Sequence, residues 1–328
     1  MKNALLLLLL LCSVPTVAQY NKLYEFSSEN DLAYPLSVVS DGTYLYGATE
    51  YGGLYGKGTV YRTNLDGSDL MILVNFNDIS SPEGSFPYGG ITLDNDTLYG
   101  TTGYVSYEFG PTSSIFKVNK NGSGFKSLQY GSSRETDVRN PVGSLSVVNS
   151  KYYGSNLKNT NSQLGSIIGI GNPALRYTQN AKSPNGSLVI IGSKAYGTAS
   201  KGGANDKGVL FSIGLDGNNY TSIHEFDEAS GSNPLGTICI SGDTIFGTTS
   251  GGGDYGKGTV YRIQINGTNF STLHHFDGVN GSNPNNSVFL SDSKLYGMTK
   301  NGGENDKGVV FQLNTNGTGF PKCLFLMA

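Results

Sequence analysis

The 328-residue sequence has no tryptophan, three histidines and three cysteines, and Asp, Glu, Lys and Arg together make up only 14% of it. Each scarcity excludes something. A formal net charge of -3 leaves no basic footprint for nucleic acid. The histidines, His224, His274 and His275, each stand just before a phenylalanine, Phe226 or Phe276. That placement reads as strand packing, not as a metal or catalytic site. No nucleophile elbow, zinc signature or Cys–His arrangement is present. No segment sustains a 3.6-residue apolar period, which argues against helices. Beyond the N-terminus no apolar run reaches the ~18 residues of a membrane helix.

The N-terminus reads as a targeting segment. Lys2 gives a positive start, Ala4 to Leu11 is an apolar run too short to span a bilayer, and Thr16-Val17-Ala18 offers small residues before Gln19. Residues 1–18 are therefore expected to be a signal peptide and 19–328 a single domain, secreted to the cell surface or beyond it. Lipidation at Cys12 is disfavoured by Leu11 before it. Cys239 and Cys323 then remain, either as two buried thiols or as one disulfide.

What the chain has in abundance is glycine, 47 residues, and tyrosine, 21 residues. Both recur in one motif. Leu45-Tyr46-Gly47, Leu98-Tyr99-Gly100, Tyr152-Tyr153-Gly154, Ala195-Tyr196-Gly197, Ile245-Phe246-Gly247 and Leu295-Tyr296-Gly297 are six copies, their glycines 53, 54, 43, 50 and 50 residues apart. Around each copy the same features return. In the clearest, Pro234 to Ile240 reads as a strand and Thr244 to Thr248 as a second. A glycine-rich loop runs from Gly251 to Gly258. In Thr259 to Ile265, Tyr261, Ile263 and Ile265 alternate with Arg262 and Gln264, the period of a half-buried strand. Asn266-Gly267 is a hairpin turn pair, and Phe270 to Phe276 reads as a fourth strand.

Four antiparallel strands repeated six times predict a six-bladed β-propeller of four-stranded blades, with an open β-solenoid as the alternative. Lys22 to Phe26 matches a fourth strand such as Ser222 to Phe226, and is expected to close the ring by completing the last blade. The tail, Phe320 to Leu326, competes for that place, so seven candidates stand for six positions.

The units Phe246 to Gly253, Gly258 to Tyr261, Leu273 to Asp277 and Gly281 to Pro284 resemble those of the Gloeo/Verruco (GloVer) tandem-repeat family of secreted bacterial proteins. The resemblance is strong in units one, four, five and six and weak in units two and three. It implies a secreted, propeller-like array, often coupled to C-terminal surface anchors, and no settled activity. No such anchor is read before Ala328.

Three groups of residues are candidates for chemistry. The loops Gly52-Gly53 to Lys57-Gly58, Gly202-Gly203 to Lys207-Gly208, Gly252-Gly253 to Lys257-Gly258 and Gly302-Gly303 to Lys307-Gly308 pair glycines with a lysine, but each leads into a strand and not the helix a phosphate loop needs. Their lysines could instead ring one face and attract an anionic glycan, while Tyr51, Tyr55 and Tyr255 could stack on sugars. Asp206, Asp306, Asp227 and Asp277 are too scattered for a calcium motif and read as Asx turns. No cofactor or metal is expected, with calcium the one alternative. The irregular stretch 103–171 contains the densest charge, with Arg134, Arg139, Tyr152 and Tyr153. A Tyr/Arg pair there would suit a polysaccharide lyase. Nine Asn-x-Ser/Thr sequons are largely explained by turn chemistry.

The resulting expectation is a monomeric, secreted binding module for polysaccharide or another cell-envelope component. The alternatives are a polysaccharide-degrading enzyme sited in 103–171 and a structural repeat protein.

Overall fold

The computed structural model describes residues 23–26, 32–77, 84–103, 114–130, 141–149, 151–156, 166–169, 175–176, 180–320 and 324–325. Among these there are only strands, turns and loops, arranged as a β-propeller of small antiparallel sheets. In five sheets four strands follow chain order, each paired to the next. Sheet one holds Leu32–Ser40, Tyr44–Gly52, Thr59–Asn64 and Met71–Asn75. Sheet five holds Cys239–Ser241, Thr244–Thr249, Thr259–Gln264 and Ser271–His275.

The expectation of six four-stranded blades is corrected to five, because the sheet of unit two has five strands. Its first strand is divided into Ser85–Pro87 and Thr92–Asp94, both paired to Thr97–Gly103. The same place is a register shift in sheets one, three and four, between Pro35 and Val38, Val142 and Ser146, and Asn185 and Val189. The cause is that the middle of the first strand leaves its own ladder to bond the neighbouring unit. Ile91 donates its N–H to Ser37 Oγ, Ser144 to Ser187 Oγ, Ser187 to Thr237 Oγ1, and Thr237 to Ser287 Oγ. Such bonds satisfy backbone groups that a bulge would otherwise strand.

The aromatic-Gly motif has a packing cause. A Cβ on Gly47 or Gly247 would collide with the ring of Tyr61 or Tyr261 in the next strand, and one on Gly100, Gly197 or Gly297 with Phe116, Phe211 or Phe311. The glycine is the notch in which the third strand's aromatic lies. That aromatic then meets the phenylalanine closing the previous unit's fourth strand: Phe76 with Phe116, Phe226 with Tyr261, and Phe276 with Phe311, centroids 5.1–5.2 Å apart. Phe76, Phe226 and Phe276 are fully buried, and burial of one such side chain contributes about 1.5–3 kcal/mol. The core is therefore a series of seams between sheets.

The contest for the closing strand is decided. Leu324–Phe325 pairs with Val309–Asn314 as the fourth strand of the sixth unit's sheet. Leu23–Phe26 belongs to no sheet and lies against unit one: a Cβ on Gly67 would meet the Leu23 backbone, and the Phe26 ring is 5.5 Å from that of Tyr61. The expectation that Leu23 to Phe26 completes the last blade is thus corrected.

Candidate ligand-binding face

At one end of the strands, the glycine-rich loops of units one, four and five meet the residue before the next unit's proline. Phe86, Asn233 and Asn283 donate their N–H groups to the carbonyls of Lys57, Lys207 and Lys257, at 2.7–2.8 Å. The pre-proline residue is in left-handed backbone both where this bond is made and at Tyr34 and Ser183: Tyr34, Phe86, Ser183, Asn233 and Asn283 all have φ between 53° and 56°. Asparagine tolerates this region well, whereas a bulky aromatic there is strained, by about 1–3 kcal/mol. Units one and two nevertheless place Tyr34 and Phe86 at this point.

Those two aromatics converge on a third. Tyr51, in the loop of unit one, has its ring centroid 5.4 Å from Tyr34 and 5.1 Å from Phe86, both edge-on. Lys57 Nζ sits 4.9 Å from the Phe86 centroid, a cation–π contact. Glu50 raises the Tyr51 hydroxyl above its ordinary pKa, first by its charge and also by a hydrogen bond. Tyr34 is 68% exposed, and Tyr51, Tyr55 and Tyr88 are exposed on the same units. The loop is held from beneath, where Asn75 Oδ1 accepts the Leu54 N–H at 2.8 Å. Residues matching Tyr51 in units four, five and six are Lys201, Gly251 and Asn301. Among the described residues, the three-ring cluster is confined to the junction of units one and two.

The other residues singled out by sequence are dispersed. Lys207 is ion-paired with Glu228, while Lys257, Lys307 and Tyr255 are exposed in their own loops. What these loop positions share is the backbone carbonyl of Lys57, Lys207 and Lys257, which anchors the next unit whatever the side chain. Asp206 and Asp306 accept the N–H groups of Gly202 and Gly302. Asp227 and Asp277 likewise accept from Ser230 and Asn280. Their carboxylates therefore bond the backbone of their own loops, although to residues four before or three after and not two on as in an Asx turn.

Tyr152 and Tyr153 are seam residues. Tyr153 is buried, and Tyr152 packs on Tyr99, with hydroxyls 3.4 Å apart and its pKa pushed up to about 12 by burial and then by that bond. Arg134 and Arg139 lie outside the described residues, as does Cys323. Cys239 is a free thiol. His224 and His274 stack in parallel on Phe270 and Phe320 of the following unit, at 4.0 and 3.8 Å, and burial lowers the pKa of both.

A charged cluster that the sequence did not flag lies at the opposite end of the same junction. Lys120 bridges Asp41 at 3.0 Å and Asp96 at 2.9 Å, beside Tyr44, Tyr46 and Arg62, around a pocket of about 600 Å³. The Tyr44 N–H, followed by those of Thr43 and the side chains of Lys120 and Tyr46, outweighs burial and holds Asp41 well below the usual carboxylate range. Tyr46 is pushed up to about 12 by burial and by Asp41. The N–H groups of Lys120, Leu215, Ile265 and Thr315 make the same turn bond in their units. Lys120 is therefore a charged latch at a position the other units leave uncharged.

The Gloeobacter/Verrucomicrobia repeat family matches residues 11–168 and 175–325. The chain belongs to this family. No curated protein matches it. Among solved structures, the extracellular domain of a one-component system from B. thetaiotaomicron is similar, with a TM-score of 0.58 and 11% identity over 94% of this chain and 35% of that one. This repeat protein therefore spans about a third of that neighbour's length. An oligogalacturonate lyase in complex with manganese has a TM-score of 0.55 and 11% identity over 84% of this chain and 74% of the lyase. A protein described as a 6-phosphogluconolactonase from Bacteroides uniformis has a TM-score of 0.53 and 13% identity over 88% and 82%. At these identities the shared property is the propeller architecture, which hosts unrelated functions.

In units four, five and six of this chain the residue before the opening proline is Ser183, Asn233 or Asn283. Sequence reasoning singled out Tyr51, Tyr55 and Lys57, and did not single out Tyr34 and Phe86, which the structure brings against Tyr51. The available signal was their place before Pro35 and Pro87, where Asn233 and Asn283 reveal what the backbone demands.

Proposed function

We propose that this protein is a secreted or cell-surface binding module that holds carbohydrate on the face formed by Tyr34, Tyr51 and Phe86. The observation that carries this reading is strain accepted at two aromatic positions whose side chains converge and remain accessible. Strained residues persist where the surroundings impose them, and they cluster at ligand sites. The apolar C–H faces of a sugar ring pack on aromatic rings, while hydroxyls find polar partners at the edge. Glu50, Lys57 and the tyrosine hydroxyls supply those partners. Lys57 also favours an acidic sugar, although its partial commitment to Phe86 limits that preference.

The test is binding to a panel of neutral and acidic polysaccharides by affinity electrophoresis and calorimetry, with Tyr51→Ala beside the wild type. The expected result is retention of at least one polysaccharide, weakened about tenfold or more in the variant. Retention of none, or equal retention of both proteins, rejects the reading. Absorbance near 235 nm in the same mixtures tests the lyase alternative, since elimination creates an absorbing double bond.

A further inference from the structure

The pocket beside the Lys120 latch holds a cation that the latch does not use. Arg62 pairs with Tyr46 across the ladder of unit one, and Arg262 pairs with Phe246 at the same position in unit five. Arg262 reaches into the next unit and donates from Nη1 to the carbonyl of Thr315, at 3.4 Å. Thr315 occupies the turn position in unit six that Lys120 occupies in unit two, since each donates its N–H to a turn of its own unit, at Ser293 or Asp96. Arg62 makes no such bond. Its guanidinium lies over the Tyr44 ring, with Cζ 4.6 Å from the centroid. Tyr44 stands where unit five has Thr244, so an added aromatic holds the arginine back from the seam. Among the described residues, the Arg62 guanidinium has no hydrogen-bond or ion-pair partner.

The crevice itself belongs to the repeat. Another, of about 410 Å³, lies at the same place between units three and four, where Leu215 takes the turn position of Lys120. Between units one and two the volume is about 600 Å³, within the range of small-molecule sites. Its lining there carries both signs of charge. Lys120 is shared by Asp41 and Asp96, so the latch keeps one negative charge in excess. The side chain of Asp96 is 90% exposed and that of Asp41 15%, which makes Asp96 the carboxylate open to a ligand. Asn119 donates its amide N–H to Ser123 Oγ, and Asn121 Oδ1 accepts from Ser123. The carbonyl oxygen of Asn119 and the amide N–H groups of Asn121 are left to face the crevice's contents. The pocket thus offers a planar fork for an anion and a set of hydrogen-bonding groups beside it.

We infer that the crevice between units one and two is a second ligand site, at the end opposite the aromatic face, and that it takes an acidic sugar whose carboxylate bonds Arg62 and whose hydroxyls bond Asp96, Asn119 and Asn121. A guanidinium matches a carboxylate bidentately, and stacking on Tyr44 fixes the plane of that fork before the ligand arrives. Sugar hydroxyls donate to a carboxylate and exchange bonds with side-chain amides. A neutral sugar leaves the fork unused. A doubly charged phosphate is opposed by Asp41 and Asp96 in the same lining.

The inference does not rest on the aromatic face, and the test separates the two sites. The full chain is titrated with glucuronate, glucose, acetate and alanine by saturation-transfer NMR and calorimetry. Glucuronate is expected to bind about tenfold or more tighter than glucose or acetate, and Arg62→Ala to weaken it about tenfold or more. Tyr44→Thr restores the pairing of unit five, so it is expected to weaken glucuronate equally while Tm is maintained. Tyr51→Ala is expected to bind glucuronate as the wild type does. Absence of glucuronate binding overturns the proposal, as does equal binding by the wild type and either Arg62→Ala or Tyr44→Thr. Glucose or acetate binding as tightly as glucuronate overturns it too. Loss of glucuronate in Tyr51→Ala overturns it in favour of the aromatic face, and alanine bound more tightly than glucuronate overturns it in favour of an amino-acid zwitterion.

Discussion

The junction of units five and six and the junction of units one and two share one backbone and differ at a few side chains. Both tie a pre-proline residue to a loop lysine carbonyl, through Asn283 on Lys257 and Phe86 on Lys57. Both bury a phenylalanine, Phe276 or Phe76, against the next third strand. In the former junction the left-handed position is filled by asparagine, whose amide bonds Ser250. In the latter it holds an aromatic, facing Tyr51. The difference separates the residues that build a seam from those added to it. What is shared is structural, and what is unique to units one and two is where the proposed ligand contact lies.

The largest effect should come from the shared part. Phe276→Ala and Phe76→Ala should each cost about 3–5 kcal/mol in urea unfolding. A large inequality between them would show that the two junctions are not mechanically equivalent. Gly247→Ala forces a methyl into the Tyr261 ring and should cost about 1–3 kcal/mol. Cost-free substitution would refute the notch reading of the repeated motif.

Tyr34→Asn gives the repeat's own residue to the left-handed position and should raise stability by about 1 kcal/mol, while weakening polysaccharide retention. Stabilisation without loss of binding would break the link between strain and function. The smallest effect should be one of pH. His224 and His274 have pKa values lowered by burial, so the unfolded chain binds protons more readily near 6.5. Their contribution is intact above pH 6.5 and is lost as pH falls through the lower folded-state values. Tm should fall on acidification from pH 8 to 5, and less steeply in His224→Phe, which keeps the stack on Phe270. Parallel slopes would exclude His224 from that response.

Much of the scaffold was legible from local pattern. The alternation in Thr259 to Ile265, the Asn266-Gly267 turn and the sixfold recurrence of the aromatic-Gly pair are short-range signals that act within one hairpin. The acidic residues were legible as bonding within their own loops, because those bonds span only three or four residues. Unit two was not legible as five strands, since the break at Gly89-Gly90 follows from bonds to Ser37 and Leu145 in other units. The aromatic cluster was half legible: Tyr51 and Lys57 stand in a conspicuous loop, whereas Tyr34 and Phe86 are about a unit apart and gain meaning only by meeting.

The sequence by itself determined the repeating strand–turn grammar, because side-chain alternation and turn chemistry are properties of neighbouring residues. The tertiary structure alone decided which units touch, that Leu324–Phe325 and not Leu23–Phe26 completes sheet six, and that three aromatics share one face. Those outcomes depend on how sheets register across a seam, where contacts between residues far apart in the chain choose among locally equivalent strands.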